Sequence, residues 1–155
     1  VRAFARTFGG VEHRIELVRE RRGVRWYNDS IASSPSRTIA GLRSFPEKVI
    51  LIAGGKDKGI SYAPLGPEVN DHVKLLILCG ATEQAIREAV RTADNYRDLE
   101  ILTAADYPEA VRLADERSKD RDVVILSPAS TSFDRFRNFE ERGQVFKNLV
   151  MALPE

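Results

Sequence analysis

The chain has a single cysteine among its 155 residues. One cysteine excludes an internal disulfide bond. Cys79 ends the apolar run of residues 75–78. We therefore expect a buried structural thiol at this position rather than a nucleophile.

An excess of charge of either sign is also absent. The chain has 24 Lys+Arg against 23 Asp+Glu, a net charge of +1, whereas a nucleic-acid interface would need a clustered basic excess. Four arginines near the N-terminus do lie close together, but two glutamates interleave with them, which predicts the solvated edge of a β-hairpin. They are Arg19, Arg21, Arg22 and Arg25, with Glu16 and Glu20.

No apolar run approaches the ~18 residues of a membrane span, and no signal peptide opens the chain. We therefore expect a cytoplasmic protein. The first residue is Val1 rather than Met, and residues 1–8 resemble the end of a helix that begins elsewhere. We expect a fragment of a larger protein, with residues 1–12 as a linker or helix from the preceding domain and residues 13–155 as one domain.

What the chain does contain is an alternation of short apolar runs and amphipathic segments, without internal repeats. Two strands around Gly23 predict a hairpin, and near-continuous apolar strands alternating with helices predict a parallel sheet covered on both faces. The expected architecture is a three-layer, Rossmann-like α/β domain with a mostly parallel sheet and an N-terminal hairpin. The predicted strands are residues 13–20, 24–28, 48–53, 73–79, 99–102 and 122–126.

A glycine-rich segment, residues 54–59, follows the third predicted strand. It has the glycine spacing of a P-loop, but Ile60 stands where the lysine must be, so it fails as a Walker motif. It fails the dinucleotide pattern as well. The glycines allow a sharp turn that brings Lys56 or Lys58 over the strand ends. A glycine-rich turn with solvated lysines is the alternative.

Residues 127–143 carry the most informative pattern in the chain. They follow the last predicted strand, and the small residues at their start leave the last backbone amides of that strand accessible to a ligand. In a parallel sheet, ligands bind beyond the carboxyl ends of the strands. The alternative is a solvated loop in which Phe133, Phe136 and Phe139 pack as one helical face.

Residues 28–35 join the second strand to a helix. Asn28, Asp29 and Ser30 fit an Asx turn. Ser33 or Ser34 is a suitable helix N-cap, with Pro35 at the first helical position. We expect this helix to run to about residue 44.

Four blocks in register resemble the Mur ligase family, in the branch that adds D-glutamate to UDP-N-acetylmuramoyl-L-alanine. Residues 127–143 resemble the family's C-terminal signature, and residues 13–16, 27–34 and 52–59 match in the same order. Together they cover nearly the whole chain. The resemblance implies the C-terminal, amino-acid-binding domain of an ATP-dependent ligase of peptidoglycan precursor synthesis.

The resemblance also implies roles for single residues. D-glutamate is bound in the family by positions that correspond here to Lys58, Ser132, Phe133, Phe139 and Ser33. ATP is contacted by positions that correspond to Arg14 and Asp29. At position 31 many relatives have lysine, so Ile31 is given no role in ligand binding, whereas Ser33 keeps the hydroxyl of the usual threonine.

The chain lacks a Walker motif, a cluster of magnesium-binding acids and a carbamylation-competent lysine motif. In the family, ATP phosphorylates a substrate carboxylate and the D-glutamate amine attacks the acyl phosphate. ATP and Mg are held mainly by a central domain, and the UDP-sugar by an N-terminal domain. We therefore expect no catalytic residue and no metal site in this chain, no activity of the chain alone, a monomer, and no nucleic-acid or membrane partner.

Two alternatives stay open. The first is the same domain of a sister ligase that adds L-alanine, a diamino acid or folate glutamates, although the Asp-Asn-Pro-Arg type motif of the diamino-acid ligases is absent. The second is a stand-alone Rossmann-like binding module. A reading frame that continues upstream of Val1 into a Walker motif would favour a ligase.

Overall fold

A computed structural model describes residues 11–57, 59–132 and 135–155. The predicted helix at residues 1–8 lies outside these ranges. Within them the chain forms six strands and five helices. In chain order these are β1 (Glu16–Arg21), β2 (Val24–Asn28), α1 (Pro35–Leu42), β3 (Val49–Ala53), α2 (Leu65–His72), β4 (Val73–Leu78), α3 (Glu83–Arg91), β5 (Glu100–Thr103), α4 (Tyr107–Arg117), β6 (Val123–Leu126) and α5 (Phe139–Met151).

The six strands form one sheet in the order β1-β2-β6-β3-β4-β5. Only β1 pairs antiparallel, with β2, and every other pair is parallel. The chain enters β2 through a turn at Arg22 and Gly23, which both have a positive φ, as the favoured two-residue hairpin turns require. The hairpin and the mostly parallel sheet are confirmed.

The core has two halves, one on each face of the sheet. Because successive strand residues point to opposite faces, Ile50 and Ile52 of β3 pack with α4 and α5, whereas Leu51 packs with α1, α2 and α3. The strands β3 and β6 are buried along their whole length. This confirms the three-layer architecture, and Cys79 is buried as expected.

Three predicted details are wrong. The first strand begins at Glu16 rather than at residue 13, because His13 and Ile15 have positive φ values of 69° and 45° that interrupt an extended chain. The helix α1 ends at Leu42 rather than near residue 44. Ser34 occupies the N-cap position with Pro35 following it, as predicted, but the Ser34 side chain makes no capping hydrogen bond to this helix.

The third detail is the arginine cluster, which is not uniformly solvated. The Arg19 guanidinium donates to the carbonyl oxygens of Val150 and Leu153 at 2.9 and 2.8 Å. Arg21 is buried and forms an ion pair with Asp115. The last carbonyls of a helix have no partner within it, so Arg19 connects β1 to the end of α5, whereas Arg21 connects β1 to α4.

None of the helices within the described ranges is long and apolar enough to cross a lipid bilayer.

Candidate functional site

The carboxyl ends of β2, β3, β4 and β6 lie side by side, and the loops that follow them are joined by backbone hydrogen bonds. The Ala129 amide donates to the carbonyl oxygen of Ala32 at 2.9 Å, and the Gly54 amide donates to the carbonyl oxygen of Pro128 at 2.9 Å. The Lys56 amide donates to Thr131 at 2.9 Å. The Thr82 amide, in the loop after β4, donates to the carbonyl oxygen of Gly55 at 2.9 Å. The four loops therefore form one connected rim at this edge of the sheet.

This rim corrects one expectation about the loop after β6. The amides of Ser127, Ala129 and Thr131 donate to carbonyl oxygens within the protein, at 3.1, 2.9 and 3.3 Å. They are therefore not accessible to a ligand, because the parallel neighbours β2 and β3 bring acceptors to them.

Two glycines allow the loop after β3 to enter the rim. At Gly54, with φ of 115°, a Cβ would lie 2.4 Å from the carbonyl oxygen of Cys79. At Gly55 a Cβ would lie 2.5 Å from the carbonyl oxygen of Thr131. The glycine-rich segment thus serves close backbone packing as well as turning.

A buried arginine joins three parts of the rim. Arg142 in α5 is only 1% exposed. Its Nη2 donates to the carbonyl oxygen of Ser30 at 2.7 Å and to Oγ of Ser33 at 3.2 Å, and its Nη1 donates to the carbonyl oxygen of Ser130 at 2.8 Å. Its Nε donates to Oγ of Ser30 at 3.0 Å. The guanidinium fork thereby fixes the loops after β2 and β6 against α5.

The sequence interpretation missed Arg142. A signal was present, since Arg142 shares helical spacing with the buried residues Gly143, Phe146 and Val150 of α5. A charged side chain in a buried helical stripe is rarely tolerated unless it is paired.

Three of the residues predicted to bind D-glutamate lie around this arginine. Ser33 accepts a hydrogen bond from it, and Ser132 is buried two residues beyond Ser130. Phe139 is the first residue of α5, and its carbonyl oxygen accepts from Oγ of Ser30 at 2.8 Å. The other two, Lys58 and Phe133, lie outside the described residues.

The sequence predicts a short helix that begins near residue 134, after the loop of β6, but the structure shows a later start. Residues 135–138 form a turn and bends, and α5 begins at Phe139 with Asn138 as its N-cap, whose side chain accepts from the Glu141 amide at 2.8 Å. The carbonyl oxygen of Ser132 accepts from the Phe136 amide at 2.9 Å. Ser132 is therefore not the N-cap of α5.

The phenylalanines of this segment do not form one helical face. The ring of Phe136 lies 5.3 Å from the ring of Tyr107 and packs on the core. The ring of Phe139 is half-buried and meets His13 edge to face at 6.0 Å. The solvated-loop alternative with one aromatic face is therefore wrong for these two rings.

The two residues predicted to contact ATP line one cavity of about 300 Å³ beside the rim. Asp29, 3% exposed, forms part of its wall, and Arg14 is exposed. The Asp29 carboxylate accepts from Oγ of Ser127 at 2.8 Å and from the Ile15 amide at 3.1 Å. Ser36 and Arg37 of α1 line the same cavity.

Burial raises the pKa of Asp29 to about 6, against the opposing effects of the Ser127 hydroxyl, the Ile15 amide and the nearby charges of Arg14 and Arg37. The carboxylate is therefore poorly solvated when it is ionised near neutral pH. A hydrogen-bond donor from a ligand would stabilise this ionised form.

One group of potential metal ligands occurs among the described residues: Glu12, His13 and Glu16. The Lys147 ammonium lies 2.7 Å from Glu12 and 3.2 Å from Glu16, so it already balances these carboxylates. Asn28 donates to Nδ1 of His13 at 2.9 Å. These contacts favour a structural role for the group.

Comparison with known proteins agrees with this geometry. Residues 13–130 match the family model described as Mur ligase, glutamate ligase domain. A UDP-N-acetylmuramoylalanine--D-glutamate ligase of Ruminiclostridium cellulolyticum is 56% identical over 153 residues, which cover 96% of this chain and 33% of that protein. The chain thus spans about a third of the length of the curated relatives it matches.

Solved structures show the same fold at much lower identity. A murein peptide ligase of Psychrobacter arcticus matches 93% of this chain and 31% of its own with a TM-score of 0.63 at 11% identity. A bifunctional folylpolyglutamate synthase/dihydrofolate synthase of Yersinia pestis was solved in complex with AMPPNP and a Mn ion. It matches 90% of this chain and 32% of its own, with a TM-score of 0.61 at 17% identity. The chain belongs to the Mur ligase family, as a glutamate ligase domain homologous to that of UDP-N-acetylmuramoylalanine--D-glutamate ligases.

Proposed function

We propose that this chain is the domain that binds D-glutamate and covers ATP in a ligase that adds D-glutamate to UDP-N-acetylmuramoyl-L-alanine. The observation that carries the proposal is the convergence of Ser33, Phe139 and the loop of Ser132 around Arg142. This convergence lies at the carboxyl ends of parallel strands, where ligands of α/β sheets bind. The identity to named D-glutamate ligases supports the choice of substrate.

In this proposal the hydroxyls of Ser33 and Ser132 and the ammonium of Lys58 bind the carboxylates of D-glutamate. Phe133 contributes its backbone amide and Phe139 backs the amino acid with its ring. A compact ammonium suits a carboxylate approached from one direction. The role of the domain is to orient the amine, which turns an encounter of two substrates into an effectively unimolecular step.

ATP is the second ligand that we propose. In this proposal Asp29 accepts a hydrogen bond from a ribose hydroxyl and Arg14 binds an anionic part of the nucleotide. The proposal is supported by the cavity that both residues line. The related enzyme of Yersinia pestis was crystallised with AMPPNP and a Mn ion. ATP supplies the phosphoryl group that activates the acceptor carboxylate. We propose that Mg is held mainly by another domain of the intact enzyme, which we expect to be a cytoplasmic monomer.

The first experiment compares this chain with the intact enzyme that contains it. We expect the intact enzyme to consume ATP with D-glutamate and UDP-N-acetylmuramoyl-L-alanine in equal amounts, and the chain alone to do neither half of this reaction. Phosphate release and product formation are measured on rigorously purified protein. Magnesium-dependent ATP turnover by the chain alone would contradict the proposal, as would an intact enzyme that uses another amino acid instead.

Lys58 offers a matched pair with Lys56, an exposed lysine of the same loop. In the intact enzyme, Lys58→Ala should raise KM for D-glutamate by roughly one to two decades, because a charge-assisted contact contributes about 1.5–3 kcal/mol. Its KM for ATP should change much less. Lys56→Ala is the control and should leave both constants near the wild-type values. Equal effects of the two substitutions on KM for D-glutamate would remove Lys58 from the site.

Ser132 is tested against a neighbouring buried serine. Ser132→Ala in the intact enzyme should raise KM for D-glutamate and leave Tm nearly unchanged. Ser130 bonds Tyr62 and Thr82 at 2.8 and 2.9 Å, so Ser130→Ala should cost about 1 kcal/mol and lower Tm by roughly 2–4 °C. Calorimetry gives Tm and kinetics gives KM for D-glutamate for both variants, and together they distinguish a binding role of Ser132 from a structural one. A Ser132→Ala variant with lowered Tm and wild-type KM would show a purely structural role.

A further inference from the structure

Arg37 lies in the first turn of α1. Its side chain is exposed, and it makes no hydrogen bond or ion pair with residues 11–57, 59–132 or 135–155. The same holds for the side chain of Arg14. Most other arginines in the part of the chain that the structure describes are paired, for example Arg43 with Glu68 and Arg87 with Glu83.

Arg14 and Arg37 both line the cavity to which Asp29 belongs. Their charges reach Asp29, since each of them lowers its pKa in part. Asp29 is the only acidic residue in the lining, and its two oxygens already accept from Ser127 and Ile15. The cavity lining therefore contains two guanidinium cations and one buried carboxylate. Neither guanidinium donates a hydrogen bond to that carboxylate, so their donors can bind an anionic ligand.

Cavity size and chemistry together define the ligand class. About 300 Å³ lies at the lower limit of small-molecule sites and suits one part of a larger ligand. A guanidinium fork matches the oxygens of a phosphate group. A carboxylate whose ionised form lacks solvation accepts hydroxyl donors. A ribose with attached phosphates combines both chemistries.

We propose that Arg37 is a second phosphate-binding residue for the nucleotide, in addition to Arg14, in the cavity that contains Asp29. This inference rests on the proposed function, because it assumes that the cavity receives ATP. It adds a contact from α1, so that the nucleotide bridges the segment before β1 and the helix after β2. Ile31, in the wall of the same cavity, contributes no charge, and Arg37 supplies a positive charge there.

The test uses the intact enzyme with ATP as the probe. Arg37→Ala should raise KM for ATP about tenfold, as expected for a lost charge-assisted contact, and leave KM for D-glutamate within about twofold. The dependence of KM for ATP on salt concentration should become weaker, because one ionic contact is lost. Arg37→Lys should have a KM for ATP between those of the wild type and Arg37→Ala, since lysine keeps the charge without the planar fork. Arg91→Ala, at the exposed end of α3, is the matched control.

The outcomes separate this inference from the function on which it rests. If Asp29→Asn raises KM for ATP but Arg37→Ala behaves like Arg91→Ala, the role of Arg37 is overturned and the nucleotide cavity stands. If neither Asp29→Asn nor Arg37→Ala changes KM for ATP, the cavity does not receive the nucleotide and both assignments fail. An increase of KM for ATP in Arg37→Ala with unchanged salt dependence would also overturn a direct phosphate contact.

Discussion

The rim of loops depends on the burial of one positive charge. A guanidinium that is 1% exposed is stable only when its donors are used, and Arg142 uses them on Ser30, Ser33 and the carbonyl of Ser130. The acceptors come from loops that follow two different strands. Their relative position is therefore set by one planar side chain of α5 rather than by the sheet alone.

This arrangement separates the two proposed ligand regions at one edge of the sheet. On the side of α5, Ser33 and Phe139 are held within one hydrogen bond of Arg142 or of its partner Ser30. On the side of α1, Asp29 and the unpaired arginines surround the cavity. The Ser127 hydroxyl, which donates to Asp29, links the second region to the loop after β6. The hydrogen bonds of the rim order its loops without a ligand. This order lowers the entropic cost of binding the two proposed ligands.

The fold could be predicted from the sequence because short continuous apolar runs become strands buried on both faces, as in β3 and β6. The start of β1 could not, since the positive φ values of His13 and Ile15 reflect tertiary contacts that no local pattern records. The proposed roles of Ser33 and Phe139 came from resemblance, whereas Arg142 was missed because a charge in an amphipathic helix looks solvated. Sequence spacing alone also cannot show that the Thr131 amide donates to the carbonyl oxygen of Lys56.

Hydrogen exchange at the Ala129 amide tests most directly whether Arg142 holds the rim together. This amide donates across the rim to Ala32, and the Cys79 amide, which donates to Ala53, is an internal reference within the same chain. Arg142→Met removes the donors and keeps an unbranched side chain. We predict that protection of Ala129 falls by roughly tenfold or more while that of Cys79 is retained. Unchanged protection at Ala129, or an equal loss at both amides, would contradict a local role of Arg142 in fixing the loops.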